Sequence, residues 1–141
     1  MLIRNANAVW NGNLFDGNGT MKFGSGAFEG QYSFKSRFDE GTGTNPEELI
    51  AAAHSGCFSM AFAATLAEKG FNPESVETTA KVHLNKVEGG FKIETVILDT
   101  AAKVADIDEA EFQTLAEAAK KGCPVSQALA GVEIKVNAKL L

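Results

Sequence analysis

The chain has 141 residues, enough for one domain (residues 1–141) that buries about two thirds of the surface its unfolded form exposes. Its formal net charge is −5, and its lysines and arginines gather into no stripe, which argues against a nucleic-acid partner. Residues 1–13 are too polar for a secretory signal, so a reducing, cytoplasmic setting is expected, where a lasting structural disulfide is rare.

Residues 2–10 read as an irregular first strand. Gly12, Asp16-Gly17 and Asn18-Gly19 supply turn chemistry, and strands are expected at 20–23 and 31–35. Gly41-Thr42-Gly43-Thr44 leads into a helix whose start is well marked. Asn45 suits the cap, Pro46 the first helical position, and Glu47 and Glu48 the positive first turn. The helix runs through the uncharged stretch 49–67 and closes at Gly70. That stretch is long enough to span a membrane, but His54, Ser55, Gly56, Ser59 and Thr65 interrupt it, and acidic residues with Lys69 bound it instead of an aromatic belt. No membrane is therefore expected; a helix apolar on every side reads as the buried centre of a soluble fold.

Two long strands follow at 76–87 and 91–103 around Glu88-Gly89-Gly90, with Ala80, Val82 and Leu84 alternating as in a one-sided sheet. Residues 108–122 form a second helix with Phe112, Leu115 and Ala119 on one side. Cys123-Pro124 opens a short third helix, and 132–140 alternates as a last strand. The class is α+β. The hairpin region 12–30 is too irregular to stand as a sheet by itself and would be steadier paired across a two-fold axis. The small residues of 51–56 would let two copies of the central helix approach closely, so a homodimer is expected.

The chemistry centres on two cysteines, Cys57 and Cys123, separated by 123 − 57 = 66 residues. A helix-buried thiol is usually packing; a single pair at structurally marked positions also fits a redox couple. Cys123 occupies an N-cap position before Pro124, where exposed amides favour a thiolate, whereas Cys57 lies some three turns into its helix. Local physics thus nominates Cys123 as the more acidic thiol. Arg37 is one of only two arginines against 11 lysines, and its planar fork suits the clamping of a carboxylate. Glu47, about 15 Å from Cys57 along the helix axis at 1.5 Å per residue, is out of reach of the sulfur but suited to anchoring such a cation. An ordinary surface arginine is the plainer reading. His54, His83, Cys57 and Cys123 give the ligand count of a zinc site, but their spacings match no closed zinc module, and no metal site is expected. A ligand-binding domain whose cysteines only pack is the other alternative.

The run Gly43-Thr44-Asn45-Pro46-Glu47-Glu48-Leu49-Ile50-Ala51-Ala52-Ala53-His54-Ser55-Gly56-Cys57-Phe58-Ser59-Met60 resembles the signature of the OsmC/Ohr family of thiol-dependent peroxidases, and Cys123-Pro124-Val125-Ser126 resembles its second signature. Tyr32-Ser33-Phe34 ahead of Arg37-Phe38 and the hairpin around Gly89-Gly90 fit as well, and Arg37-Phe38 with Glu47-Glu48 is closer to the OsmC branch. The resemblance implies an α+β intertwined homodimer with buried central helices packed against curved antiparallel sheets. It makes Cys57 the peroxidatic nucleophile, Cys123 the resolving thiol, Arg37 the group that orients thiolate and peroxide, and Glu47 the holder of Arg37. Substrates would be organic hydroperoxides of fatty-acid-like or aryl-alkyl type, the reductant a lipoyl-type or other dithiol, and no cofactor would be needed.

Magnitudes give the arginine its task. A thiol of ordinary pKa is about 7% ionised near neutrality, so complete ionisation raises its rate by at most about 14-fold. Most of the acceleration must come from polarising and aligning the O–O bond, which a positioned guanidinium does. Phe38, Phe58, Met60 and Phe62 cluster in sequence around these residues and are expected to supply an apolar substrate wall.

Overall fold

Contacts divide the computed structural model, which describes residues 1–141, into two compact units, Met1–Leu49 and Ile50–Leu141. The first is built on an antiparallel sheet of β1 (Ala6–Asn11), β2 (Asn18–Phe23) and β3 (Glu29–Tyr32), in that order. So the glycine-rich region does form a sheet, and glycine is what permits it. Gly19 stands in register between Trp10 on β1 and Tyr32 on β3. A Cβ there would fall 2.5 Å from the Tyr32 ring and 2.8 Å from the Trp10 ring; without it the two rings meet at 5.2 Å.

The strand expected at 31–35 stops at Tyr32 and gives way to a short helix, α1 (Phe34–Phe38). Ser33 is its cap. The Ser36 N–H donates to Ser33 Oγ at 3.1 Å, and the Ser33 N–H donates to Ser36 Oγ at 2.8 Å, a reciprocal capping box built from two serines. Ser36 Oγ also donates to the Thr44 carbonyl at 2.7 Å, and Asn45 Nδ2 to the Ser36 carbonyl at 3.1 Å, so α1 is fastened to the residues that open α2 (Pro46–Glu68). Gly43 makes that turn possible: its φ is +124°, and a Cβ would lie 2.6 Å from the Gln31 carbonyl oxygen. The start of α2 follows its sequence signals, with the Glu48 N–H donating to Asn45 Oδ1 at 2.8 Å. No apolar side chain of this unit is buried; Val9, Leu14 and Phe15 are 50%, 54% and 70% exposed.

The second unit holds the core. It comprises most of α2, β4 (Ser75–Val87), β5 (Gly90–Lys103), α3 (Glu109–Gly122), α4 (Pro124–Ala128) and β6 (Glu133–Leu140). β4 and β5 pair antiparallel, but β6 runs parallel to β5, so this sheet is mixed where an antiparallel one was expected. The reason is the connection: α3 and α4 intervene between β5 and β6 and give the chain length to return to the same end of the sheet. Exposure alternates along β4 and β6, one face meeting water and the other the core. Phe58, Phe62 and Leu66 of α2 pack with Val96 and Leu98 of β5 and Phe112 and Leu115 of α3, the Phe62 ring lying 5.8 Å from Phe58 and 5.3 Å from Phe112.

α2 corrects one expectation. Beyond Glu47 in the first turn, only the stripe His54, Phe58, Phe62 and Leu66 is buried; Ala52, Ala53, Gly56, Met60, Ala64 and Ala67 are exposed. The sheet and α3 cover one side of a helix that is apolar on all sides. By length and composition α2 could cross a membrane, but its buried stripe is the centre of this unit's core.

Candidate active site

In the second unit, α2 and α4 bring the two cysteines together. The Cys123 and Cys57 sulfurs lie 3.2 Å apart across 66 residues of chain, both free thiols. At this separation only the last approach to a disulfide bond of about 2.05 Å remains. Their surroundings differ. Cys57 is half-buried, and Cys123 is wholly inaccessible. Burial pushes the Cys57 thiol up; the Val125 N–H pulls it back in part, but the adjoining Cys123 raises it further. Burial also acts against ionisation of Cys123, yet the Ser126 N–H, the Cys57 thiol, the Ser126 hydroxyl and the Val125 N–H together hold it below the ordinary thiol range. Cys123 is the N-cap of α4 without a short capping bond from its sulfur, and Pro124 opens that helix. Of the two thiols, Cys123 is therefore the more acidic, in line with the local physics of the sequence.

Beside this pair runs a second link between the same helices. His54 Nε2 lies 2.7 Å from Ser126 Oγ, both side chains buried. His54 Nδ1 is buried with no partner, and burial lowers the histidine's pKa. A protonated ring would carry an orphan N–H at Nδ1, so the neutral form is the stable one. His83 is exposed on β4, and no group of three or more His, Cys, Asp or Glu side chains stands together as a metal would require.

In the first unit, the capping box sets Arg37 one residue after Ser36, and Glu47 lies in the first turn of α2. Arg37 Nη2 donates to Glu47 Oε1 at 2.7 Å, and Nε lies 3.2 Å from both carboxylate oxygens. The glutamate side chain is 10% exposed and that of the arginine 37%, so the carboxylate is sheltered while the fork still reaches solvent. Nη1 takes no part in the pair. The guanidinium also stacks on Phe38, 5.1 Å from the ring centroid.

Around it opens a cavity of about 370 Å³ lined by Trp10, Leu14, Tyr32, Phe34, Arg37 and Phe38, among others. The Phe34 and Phe38 rings are 5.0 Å apart. Of the apolar wall expected from sequence, only Phe38 lines this cavity. Phe58 and Phe62 are fully buried core residues, and Met60 is 77% exposed. They fall on different faces because neighbours two residues apart on a helix point some 200° apart. The residues missed, Trp10, Tyr32 and Phe34, come from strands and a short helix distant in sequence from Cys57.

The family model for OsmC-like proteins matches residues 39–138. Peroxiredoxin OsmC of Escherichia coli is 48% identical over 123 residues, covering 86% of each chain. Organic hydroperoxide resistance protein OhrB of Bacillus subtilis is 36% identical over 101 residues, covering 70% of this chain and 71% of that protein, and its crystal structure superposes with a TM-score of 0.69 over 97% and 98% of the two chains at 28% identity. An organic hydroperoxide resistance protein from Elizabethkingia anophelis superposes with a TM-score of 0.74 over 99% of both chains at 26% identity. With its paired thiols, its clamped arginine and this likeness along nearly its whole length, the chain belongs to the OsmC/Ohr family of OsmC-like proteins.

Proposed function

We infer that this protein is a thiol peroxidase that reduces organic hydroperoxides to alcohols. The observation that carries the reading is the 3.2 Å approach of Cys57 and Cys123; the names of its relatives agree with it. The Cys57 thiolate attacks the distal peroxide oxygen, the O–O bond breaks, and the alkoxide leaves as the alcohol after taking a proton. Cys57 becomes a sulfenic acid. The Cys123 thiolate then attacks that sulfur, and hydroxide leaves to become water. Two thiols and one hydroperoxide have become a disulfide, an alcohol and water. An external dithiol, for which a lipoyl-type compound is the expected class, reopens the bridge by exchange. The attack falls on the more accessible Cys57 sulfur, which leaves the more acidic Cys123 as the departing thiolate.

Arg37, held by Glu47, is assigned to orient the peroxide oxygens, and the aromatic cavity beside it to receive the organic group. A polar peroxide head against a guanidinium and a hydrocarbon against Trp10, Phe34 and Phe38 is the pairing this cavity offers. The working form is a homodimer, with the cytoplasm as its compartment. Two observations support a second copy of the chain. The first unit buries no apolar side chain, and α2 leaves the small-residue face from Ala52 through Gly56 and Met60 to Ala64 uncovered.

The deciding experiment is a thiol count. One equivalent of cumene hydroperoxide should remove two free thiols per chain, and a lipoyl dithiol should restore both with steady consumption of peroxide. Thiols that survive the peroxide would favour the ligand-binding alternative.

A further inference from the structure

The buried side chains of the first unit are all polar: Ser36, Thr44 and Glu47, at 6%, 9% and 8% exposure. Ser36 is the one buried residue of α1, and Arg37 follows it directly. A helix of five residues is too short to hold itself together. Its phenylalanines, Phe34 and Phe38, are half-buried and line the cavity. The Arg37–Glu47 pair does not fix it either, because an ion pair with one partner more than a third exposed is weak. Hydrogen bonds remain, and they converge on Ser36. Its hydroxyl accepts from the Ser33 N–H at 2.8 Å and donates to the Thr44 carbonyl at 2.7 Å, nearer than the Ser33 carbonyl at 3.1 Å. Its own carbonyl accepts from Asn45 Nδ2 at 3.1 Å, while Asn45 Oδ1 accepts from the Glu48 N–H at 2.8 Å. Glu47 lies between those last two residues in sequence.

We propose that Ser36 is a positioning residue for peroxide reduction: its buried hydroxyl ties the turn that carries Arg37 to the segment that carries Glu47, and so sets the aim of the guanidinium before a peroxide arrives. Glu47 holds the arginine only at its tip, through Nε and Nη2. A side chain held at its tip alone still swings with its backbone, so the Cα of Arg37 must be fixed as well. The Ser36 hydroxyl does this by standing between the Ser33 N–H and the Thr44 carbonyl, beside the parallel bridge of Tyr32 with Thr44. Without the hydroxyl, those two backbone groups must close on each other or take up water. Either change shifts α1 relative to Glu47. A misplacement of about 1 Å at a group that orients the reactants costs about 10²-fold in rate, so a small shift here is enough to be felt.

This rests on the assignment of Arg37 to the peroxide, and a double-mutant cycle tells the two apart. Oxidation of Cys57 by cumene hydroperoxide is timed by rapid mixing in the full-length wild type, Ser36→Ala, Arg37→Ala and the double variant. Ser36→Ala should slow that step by about tenfold to a hundredfold, less than Arg37→Ala does, because it acts through the arginine. In the Arg37→Ala background it should cost nothing further. Ser36→Thr keeps the hydroxyl and should oxidise at close to the normal rate. Reduction of the disulfide by a lipoyl dithiol needs the two cysteines and not the guanidinium. Ser36→Ala should therefore be reduced at the wild-type rate, which a general loss of structure would not allow. An equal cost of Ser36→Ala in both backgrounds, equal slowing of oxidation and reduction, or equal losses in Ser36→Thr and Ser36→Ala would overturn the proposal. So would oxidation of Ser36→Ala at the wild-type rate. Arg37→Ala that oxidises at the wild-type rate would instead overturn the assignment of Arg37, and the proposal with it.

Discussion

Replacing Arg37 with lysine keeps a positive charge and removes the fork. The arginine meets Glu47 through two nitrogens, with contacts of 2.7, 3.2 and 3.2 Å, and still presents Nη1. A lysine ammonium that reaches the same carboxylate replaces both nitrogens with one, and its compact charge is then drawn to Glu47 rather than to a peroxide. Loss of one preorganised donor at the developing oxyanion costs about 10²–10³ in rate, or about 3–4 kcal/mol of transition-state stabilisation. The effect on stability is small by comparison. The arginine is more than a third exposed, and an ion pair of that kind contributes about 0–1 kcal/mol.

Arg37→Lys should therefore lower kcat/KM for cumene hydroperoxide by about 10²–10³, measured as peroxide consumption with a lipoyl dithiol, while thermal unfolding shifts by only a few degrees. Glu47→Gln separates holding from charging. It leaves the guanidinium its charge but weakens its clamp, and should fall between wild type and Arg37→Lys in activity. Near-normal turnover in Arg37→Lys would refute the reasoning, because a diffuse positive charge would then suffice.

Cys57→Ser should abolish peroxide consumption, whereas Cys123→Ser should consume one equivalent and accumulate sulfenic acid at Cys57; labelling of Cys123 in the Cys57→Ser protein would reverse the roles. Removing Cys123 also removes a neighbour that raises the Cys57 pKa, so alkylation of Cys57 should set in at lower pH in Cys123→Ser than in wild type, and an unchanged onset would contradict that electrostatic reading. Trp10→Ala should raise KM for cumene hydroperoxide several-fold and leave hydrogen peroxide kinetics unmoved, because only the former has hydrocarbon to bury at about 25 cal/mol per Å²; equal effects on both would remove the aromatic cavity from the substrate path. Light scattering should give twice the chain mass at low micromolar concentration, and Met60→Lys, which sets a charge on the exposed apolar face of α2, should shift it toward one; a stable, active monomer of the unmodified chain would refute the dimer. Recombining Arg37→Ala with Cys57→Ser subunits should restore activity if Arg37 serves the partner's thiol, and inactive mixtures would confine it to its own chain.

What was legible in the sequence follows the length of the signal. Asn45-Pro46-Glu47-Glu48 marks the start of α2 because each residue suits its own position, and β4, β5 and β6 show through their period of two. α1 was hidden for two reasons: five residues are too few to show a helical period, and its capping box carries serine rather than glutamate or glutamine at the third position. The parallel course of β6 could not be read from alternation, which is the same in either direction. The aromatic cavity was missed because Trp10, Tyr32 and Phe34 converge through strand register, and Gly19 records that convergence only as an absent side chain. Conversely, Phe58 and Phe62 were drawn to the site by nearness to Cys57 in sequence, although helix geometry turns Phe58 and Phe62 into the core.

The conflict between acidity and reactivity at the two sulfurs is resolved by comparing magnitudes. Ionisation is worth at most about 14-fold to a thiol of ordinary pKa, and part of that is returned, since nucleophilicity falls with pKa with a coefficient of about 0.4–0.5. Access has no such ceiling. A hydroperoxide cannot bring its O–O bond in line with the sulfur of Cys123, which has no exposed surface, whereas Cys57 is half-buried and open to approach. In the proposed reaction the buried thiol loses the first step by exclusion, however acidic it is. In the second step the positions are exchanged: the electrophile is now a sulfenic acid on the sulfur 3.2 Å away, access is guaranteed by the fold, and the thiolate fraction decides the rate. Acidity is therefore placed on the sulfur that solvent does not reach and openness on the one that peroxide must reach. A thiol with both properties would also be the one most exposed to irreversible over-oxidation.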